Sequence, residues 1–277
     1  MPLVLRLKLQ TSIPIEVDTV RMETIRMQTL KEVQATPIHY GNKTPALSDF
    51  FDVAGSAADD AEIIYEGDCS KVKLIGAGLT EGRIVVHGHA GMHVGAEMRG
   101  GEIIVQGNTA DWLGAEMHGG RIRVHGNAGH LVGAVYRGGR KGMTAGEILI
   151  DGNAGNEIGN SMRRGLIAIG GTAGDAIGYN LIAGTILIFG GIGIRPGAGM
   201  RRGTIGLLGP VTPASPPMLP TFKSAGLSRP VYLQIYLRHL RKQGFAVPDE
   251  CFSTAYERHC GDFLEYGKGE ILVRASC

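Results

Sequence analysis

The stretch GRIVVHG (82–88) returns as GEIIVQG (101–107), GRIRVHG (120–126), GEILIDG (146–152), GLIAIGG (165–171), GTILIFG (184–190) and GTIGLLG (203–209). The leading glycines advance in steps of 19, 19, 26, 19, 19 and 19. A second glycine series, Gly76, Gly95, Gly114, Gly133, Gly159, Gly178 and Gly197, keeps the same steps. Two independent series with one spacing define an internal repeat, and the fold must accommodate it. The step of 26 is 19 plus a seven-residue insertion, placed by this comparison within 138–145.

Each copy carries β-branched residues in alternation: Ile84 and Val86, Ile103 and Val105, Ile122 and Val124, then Ile148 and Ile150 onward. Period-two alternation of this kind predicts a strand with those side chains on one face. A unit of 19 residues has no room for a helix, a strand and two turns. Three short strands joined by turns do fit, so each unit is expected to be one coil of a parallel β-helix. Two further apolar series support inward-facing sides. One is Ile75, Val94, Leu113, Val132, Ile158 and Ile177; the other is Leu79, Met98, Met117, Tyr136, Met162, Leu181 and Met200. Coils stacked about 4.8 Å apart place like on like and build a core that no single coil can form. A polar series, Asn108, Asn127, Asn153 and Thr172, reads as a hydrogen-bonded ladder along the stack.

Composition agrees. Glycine supplies 44 of 277 residues, about 16% against an ordinary 7%, in a chain with only 12 prolines and a normal apolar fraction of 43%. That is the signature of repeated tight turns rather than of disorder. A net charge of +2 gives no reason to expect nucleic acid. The four cysteines, Cys69, Cys251, Cys260 and Cys277, form no CxxC pair and read as free thiols. No apolar run approaches the ~20 residues of a membrane span, and the start lacks a signal-peptide core, so the expected location is cytoplasmic.

The repeats divide the chain into an N-terminal strand and helix cap (1–61), the β-helix (62–209), and a linker with a C-terminal helix and strand (210–277). In the first part, Leu3, Leu5, Leu7 and Leu9 alternate as a strand, and 24–34 reads as a helix. In the last, PVTPASPPMLP (210–220) reads as a stiff linker, and 228–244 as a helix capped by Ser228, with Pro230 in its first turn and Gly244 ending it. Residues 256–262 read as a helical turn and GEILV from Gly269 as a strand.

Catalytic signatures are missing: there is no GxSxG, HExxH or GK[ST] loop. His87 and His125 share one repeat position with Gln106 and Asp151, and His89 and His93 lie nearby; exposed turn histidines explain them better than a metal cluster does. No catalytic, cofactor or metal residue is assigned. The candidate site is a basic stripe, Arg99, His118, Arg137, Arg163, Ile182 and Arg201, with neighbours Arg164 and Arg202 and with Arg140 and Lys141 in the insertion. It suits docking of an acidic partner or a polyanionic substrate, with Glu97 and Glu116 as partial counter-charges. Outward strand positions Val85, Ile104, Arg123, Leu149, Ala168 and Leu187 are mostly apolar, so a cover is expected, from the tail of this chain or from a partner.

The unit G-x-x-[ML]-x-x-G-x-I-x-[VIL]-x-G occurs as GAGLTEGRIVVHG, GAEMRGGEIIVQG, GAEMHGGRIRVHG, GNSMRRGLIAIGG, GYNLIAGTILIFG and GAGMRRGTIGLLG, with RKGMTAGEILIDG departing at Arg140. This resembles the C subunit of formylmethanofuran dehydrogenase over roughly 35–210; the repeat also resembles the C-terminal domain of the glutamate synthase large subunit. The block from PVYLQIYLRHL to GEILV is similar to the bacterial versions, from formyltransferase/hydrolase complexes. The resemblance implies a structural subunit without its own cofactor. Its partners would be a formyltransferase, an amidohydrolase-like subunit and a dehydrogenase-like subunit. The complex would move a formyl group from formyl-tetrahydromethanopterin to a methanofuran-type carrier and hydrolyse it to formate. An archaeal tungsten or molybdenum formylmethanofuran dehydrogenase is the alternative setting. The resemblance further implies a carrier bearing glutamates, for whose tail the basic stripe would be a guide.

A reading of another class stays open: a β-helix acyltransferase or polysaccharide-active enzyme. Hexapeptide transferases repeat in sixes, which suits 18 per coil better than the 19 seen here. Glu97 with Glu116 is the one acidic pair such an enzyme could use.

Overall fold

The computed structural model describes residues 1–9, 11–210 and 218–275. The N-terminal part holds β1 (Leu3–Leu7), β2 (Ile15–Glu16), α1 (Met22–Ile25), α2 (Leu30–Gln34), β3 (His39–Tyr40), α3 (Leu47–Phe50) and β4 (Phe51–Ala54). The repeats supply β5 (Glu62–Glu66), β6 (Val72–Lys73), β7 (Arg83–His87), β8 (Glu102–Val105), β9 (Arg121–Val124), β10 (Glu147–Ile150), β11 (Leu166–Ile169), β12 (Thr185–Ile188) and β13 (Arg202–Leu207). The C-terminal part holds β14 (Lys223–Ser228), α4 (Val231–Lys242), α5 (Glu250–Ser253), β15 (Tyr256–Gly261) and β16 (Lys268–Arg274). Thirteen strands form one sheet, ordered β14-β15-β16-β13-β12-β11-β10-β9-β8-β7-β5-β1-β4. From β1 through β16 neighbours are parallel; only β4, β14 and β15 run antiparallel to theirs. The chain is thus mainly β, with a large, mostly parallel sheet and a C-terminal helix.

The repeat explains the register. Ile84 pairs with Ile103, Ile103 with Ile122, Ile122 with Ile148, Ile148 with Ile167, and so on to Ile205 and Ile271. These side chains are buried in one continuous core with the Ile75–Ile177 series. Hydrogen bonds between successive units recur away from the sheet as well. Gly114 N donates to Val94 O at 2.8 Å and His118 N to Met98 O at 2.7 Å. Gly95 shows why this corner needs glycine: its φ is +64°, and a Cβ would come 2.5 Å from Ile122 Cδ1.

Not every left-handed position is glycine. His93, Trp112, Leu131, Glu157 and Ala176 all have φ between +55° and +65°, one per unit. Each holds its N–H toward the following unit: His93 N donates to Asp111 O at 3.0 Å and Trp112 N to His130 O at 2.9 Å. Such residues are strained in isolation, by roughly 1–3 kcal/mol; the bonds from the next unit hold them there.

The insertion lies elsewhere than sequence comparison places it. Arg163 N donates to Met143 O and Thr144 N to Met117 O, so Met143 is the counterpart of Met117 and Met162. Met143 is fully buried, and Tyr136 leaves the core series. The seven extra residues are therefore 136–142. A phenol ring in a slot shaped by methionines would strand its hydroxyl in an apolar core, whereas Met143 fills it without a polar atom.

The flanks continue the sheet. β1 adds to β5, with Leu3 and Leu5 buried and Leu9 exposed, and α2 and α3 pack on β4. The helix expected over 24–34 is two, α1 and α2, separated because Thr29 caps α2 in a box with Glu32. At the other end β16 pairs with β13 as the expected strand from Gly269. The helical turn expected over 256–262 is instead strand β15, whose backbone bonds are taken by β14 and β16. Ser228 does not cap α4: it ends β14, and Pro230 stands at the cap position without a side-chain bond. Gly244, at φ +72°, does follow the helix end. The linker expected over 210–220 falls largely on 211–217, outside the described residues.

The tail itself covers the later outward positions. Leu233, Leu237 and Leu240 of α4, with Phe245, Val247 and Cys251, pack over Leu149, Leu166, Ala168, Leu187, Leu208 and Leu272 in a second core. Strands β11 and β12 are accordingly buried at every residue, while β8 keeps the alternating pattern of a half-covered strand. Leu237 sits at the centre of this contact and is fully buried. Leu237→Ala is expected to lower unfolding free energy by about 2–5 kcal/mol, read by urea denaturation; an Ile235→Ala control on the opposite face should change it by well under 1 kcal/mol.

Candidate functional site

The asparagine ladder forms, with a bonding pattern of its own. Each side-chain oxygen accepts the backbone N–H one unit on: Asn108 Oδ1 from Asn127 N at 2.8 Å, Asn127 Oδ1 from Asn153 N at 2.7 Å, Asn153 Oδ1 from Thr172 N at 2.8 Å. His89 starts the ladder, its Nδ1 accepting from Asn108 N at 3.0 Å. A second ladder is hidden in the sequence: Asp111, His130, Asn156 and Asp175 accept in turn from His130 N, Asn156 N, Asp175 N and Ile194 N. Its residue types vary, so only the shared spacing of 19 or 26 could have exposed it. The accepting Nδ1 of His89 and His130 must carry a lone pair, which fixes their tautomer. His125 instead faces Asp151, Nδ1 to Oδ2 at 2.8 Å. Among the described residues no three His, Cys, Asp or Glu side chains are grouped to hold a metal. Cys69, Cys251 and Cys260 are free thiols, and burial pushes Cys69 up to about 12.

The displaced Tyr136 creates the most distinctive surface. Its ring lies 4.9 Å from that of Trp112, and His93 completes a cluster of three rings, 6.2 Å from Trp112 and 5.6 Å from Tyr136. Tyr136 Oη and His93 Nδ1 are 2.9 Å apart. Burial, with Glu97 and Glu116 nearby, pushes the phenol up to about 12, so it remains protonated, and the direction of its bond to His93 follows the imidazole tautomer. His93 and Tyr136 line a groove of about 790 Å³ closed on its far side by Glu16, Asp18 and Glu23 of the N-terminal segment. Glu97 and Arg99 line it too. Its lining of Glu16, Asp18, Glu23 and Glu97 against Arg21 and Arg99 is net negative and offers hydrogen-bonding groups beside an imidazole and a phenol. Elsewhere, His118 Nδ1 lies 2.7 Å from Thr144 Oγ1, a nucleophile-to-base distance, but no carboxylate orients His118 among the described residues.

The basic stripe is shorter than expected. Its register runs Arg99, His118, Thr144, Arg163, Ile182, Arg201, because Thr144 takes the place assigned to Arg137. Arg137, Arg140 and Lys141 are exposed together on the 136–142 excursion. Arg201 pairs with Glu265 at 3.3 Å. Arg99, Arg137, Arg140, Lys141, Arg163, Arg164 and Arg202 make no ion pair among the described residues. The expected counter-charges do not serve it: Glu116 Oε1 accepts the N–H of Tyr136 at 2.9 Å, anchoring the excursion, and Glu97 pairs with no arginine among the described residues.

Charges are neutralised instead on the sheet. Glu62, Arg83, Glu102, Arg121 and Glu147 occupy one register position, with successive contacts of 3.6, 3.5, 3.6 and 3.4 Å. Alternating sign removes the repulsion that in-register stacking would impose. The same alternation stands at the second place of the first four repeated heptads. Where it stops, His239 of α4 meets Glu147. Arg123, an outward position expected to be covered, is buried, paired with Asp151, and lies 5.1 Å from the centre of the Phe245 ring.

No family model matches the chain. Its homologues include proteins named as the C subunit of formylmethanofuran dehydrogenase. That of the tungsten-containing formylmethanofuran dehydrogenase 2 of Methanococcus maripaludis is 40% identical over 92 residues, 33% of this chain and 34% of that protein. That of the molybdenum-containing formylmethanofuran dehydrogenase 1 of Methanothermobacter marburgensis is 42% identical over 82 residues, 30% of this chain and 20% of that protein. The chain thus spans about a third or less of these relatives' length. A chain in the crystal structure of the formyltransferase/hydrolase complex from Methylorubrum extorquens, in complex with methylofuran, superposes with a TM-score of 0.88 at 29% identity, covering 99% of this chain and 100% of that one. No helix among the described residues is long and apolar enough to cross a membrane.

The His93–Tyr136 contact carries a pH dependence. Burial, reinforced by the Lys73 charge, holds His93 below its ordinary 6.5. As pH falls below that value the unfolded chain takes up a proton that the folded chain resists. Stability contributed by this site is therefore full above about 6.5 and declines as pH drops toward the folded value. Asparagine tolerates the same backbone conformation, so His93→Asn is expected to flatten the fall of Tm between about pH 7.5 and about pH 5.5, measured by differential scanning calorimetry.

Proposed function

We propose that this chain is a non-catalytic structural subunit of a formyltransferase/hydrolase complex. That complex would convert formyl-tetrahydromethanopterin, through a formylmethanofuran-type carrier, to formate in formaldehyde oxidation. The observation that carries the reading is the end-to-end likeness to one chain of such a complex, at a TM-score of 0.88. The repeats then constitute a parallel β-helix of about seven 19-residue coils, with 1–61 as its cap and 210–277 as its extension. Hydrogen bonds from unit to unit at several places around each coil support it. In this reading the carrier and tetrahydromethanopterin are handled by the partners: a formyltransferase, an amidohydrolase-like subunit and a dehydrogenase-like subunit.

A second setting, as the C subunit of a tungsten or molybdenum formylmethanofuran dehydrogenase, is favoured by the identity over about a third of the chain. Full-length correspondence weighs more, because the tail and β16 belong to it as well.

The exposed cations Arg137, Arg140, Lys141, Arg164 and Arg202, with half-buried Arg163, suit docking of an acidic partner surface better than guidance of a glutamate-bearing carrier. The excursion separates them into two groups instead of one continuous track.

Native mass spectrometry of the protein tagged and purified from its own host tests the assembly. A formyltransferase and an amidohydrolase-like subunit should accompany it. A molybdopterin subunit with iron–sulfur proteins would move it to the dehydrogenase, and a stable solitary chain would overturn both. Arg163→Ala is expected to weaken assembly while leaving the complex's KM for the carrier unchanged; a raised KM with intact assembly would assign the cations to the carrier.

A further inference from the structure

We infer that the outer face of α4, together with the open sheet edge at β14, is a docking surface for another protein subunit that presents apolar side chains set among carboxylates. The inference rests on the assembly reading above and names the face through which assembly would occur.

The helix has two faces of opposite use. Leu233, Leu237 and Leu240 are fully buried against the sheet. Val231, Ile235, Arg238 and Lys242, spaced i, i+4, i+7 and i+11, form one stripe on the opposite side. Val231 is 77% exposed and Ile235 66%; Leu227, at the end of β14, is 68% exposed. Three large aliphatic side chains left in water within nine residues of chain are the mark of a surface meant to be covered. The stripe continues into cations. α4 contains no acidic residue, and Arg238 and Lys242 make no ion pair among the described residues. The neighbouring Arg241 is different: it is spent on Asp249 and lies 4.4 Å from the centre of the Phe252 ring.

The two ends of the sheet are treated differently. β4 closes one edge and is packed by α2 and α3. β14 closes the other, is bonded on one side to β15, and has five exposed residues in a row, 223–227. An open edge is a standing invitation to further pairing unless something covers it. β14 ends at Ser228 and α4 begins at Val231, so the open edge leads within three residues into the apolar stripe, and one partner can take both.

Charge selects the occupant. A second copy docking through the same face would set Arg238 and Lys242 against themselves, since such a contact is self-complementary. An anionic lipid surface would satisfy the cations but leave the backbone groups of β14 unpaired. A protein surface carrying carboxylates satisfies all three features.

The test uses the complex purified from the host through a tag on this chain. Val231→Asp with Ile235→Asp, and separately Arg238→Glu with Lys242→Glu, should each reduce recovered partner at least about tenfold, about 1.4 kcal/mol. The Tm of the chain itself should be unchanged, and Lys31→Glu on α2 should have no effect on recovery. The cation pair's loss should be largest at low salt. If wild-type chain is recovered alone, the assembly reading fails. If wild type and both variants recover partner equally, that reading stands and this face is not its interface. Flotation of the wild-type chain with phosphatidylcholine–phosphatidylglycerol vesicles, or a homodimer abolished by the variants, would overturn the inference in favour of lipid or of self-association.

Discussion

In-register stacking is the constraint on which the rest of this molecule depends. Each residue of the repeat lies against its counterpart about 4.8 Å before and after it. Whatever a position holds is therefore multiplied along the stack. Isoleucine upon isoleucine gives a continuous core, as from Ile84 to Ile271. A polar side chain repeated the same way must find a partner within the repeat. The asparagines do so by accepting a backbone N–H from the next unit, and histidine or aspartate can replace them because each also offers an acceptor at the same reach. A repeated charge would be self-repelling, and the sheet answers by alternating Glu62, Arg83, Glu102, Arg121 and Glu147.

The two departures from the repeat are the two places where surface of unusual character arises. The seven residues 136–142 are expelled because Met143 fits the core slot. Their first residue, Tyr136, is then left to stack on Trp112 and to bond His93. Glu116 anchors the excursion through its backbone, and the groove beneath it gains both aromatic and acidic walls. The second departure is the tail. It lays α4 over β10 to β13 and β16, ties itself down through His239 and Arg123, and leaves its other face uncovered.

These features agree with the structural role proposed above. Its ionisable groups are largely committed to ladders, to the charge alternation and to anchoring added segments. The unspent charges lie on exposed cations of the excursion, the corners and α4. Interfaces are made of such material, since unpaired surface charge steers and orients a partner while aliphatic patches supply binding energy.

The repeat, one strand in each unit, most of the inward-facing series and the need for a cover were legible from the sequence, because stacking writes each of them at a fixed spacing; the three strands expected per unit appear from β7 onward as one strand with isolated bridges. The residue filling a slot after an insertion was not legible. Gly133 and Tyr136 keep the spacing on one side and Met143 on the other, and only packing volume chooses between them. Sequence could not tell α1 and α2 from one helix, nor β15 from a helical turn, since those segments are short and their state is set by the neighbours that take their backbone bonds. The left-handed conformations of His93 and Trp112 were equally hidden, as nothing in those side chains favours them; hydrogen bonds from the next unit impose them. Spacing alone determined the stack. Which residues leave it, and what their departure exposes, was decided by the tertiary structure, because that choice depends on volume and on bonds between residues far apart in the chain.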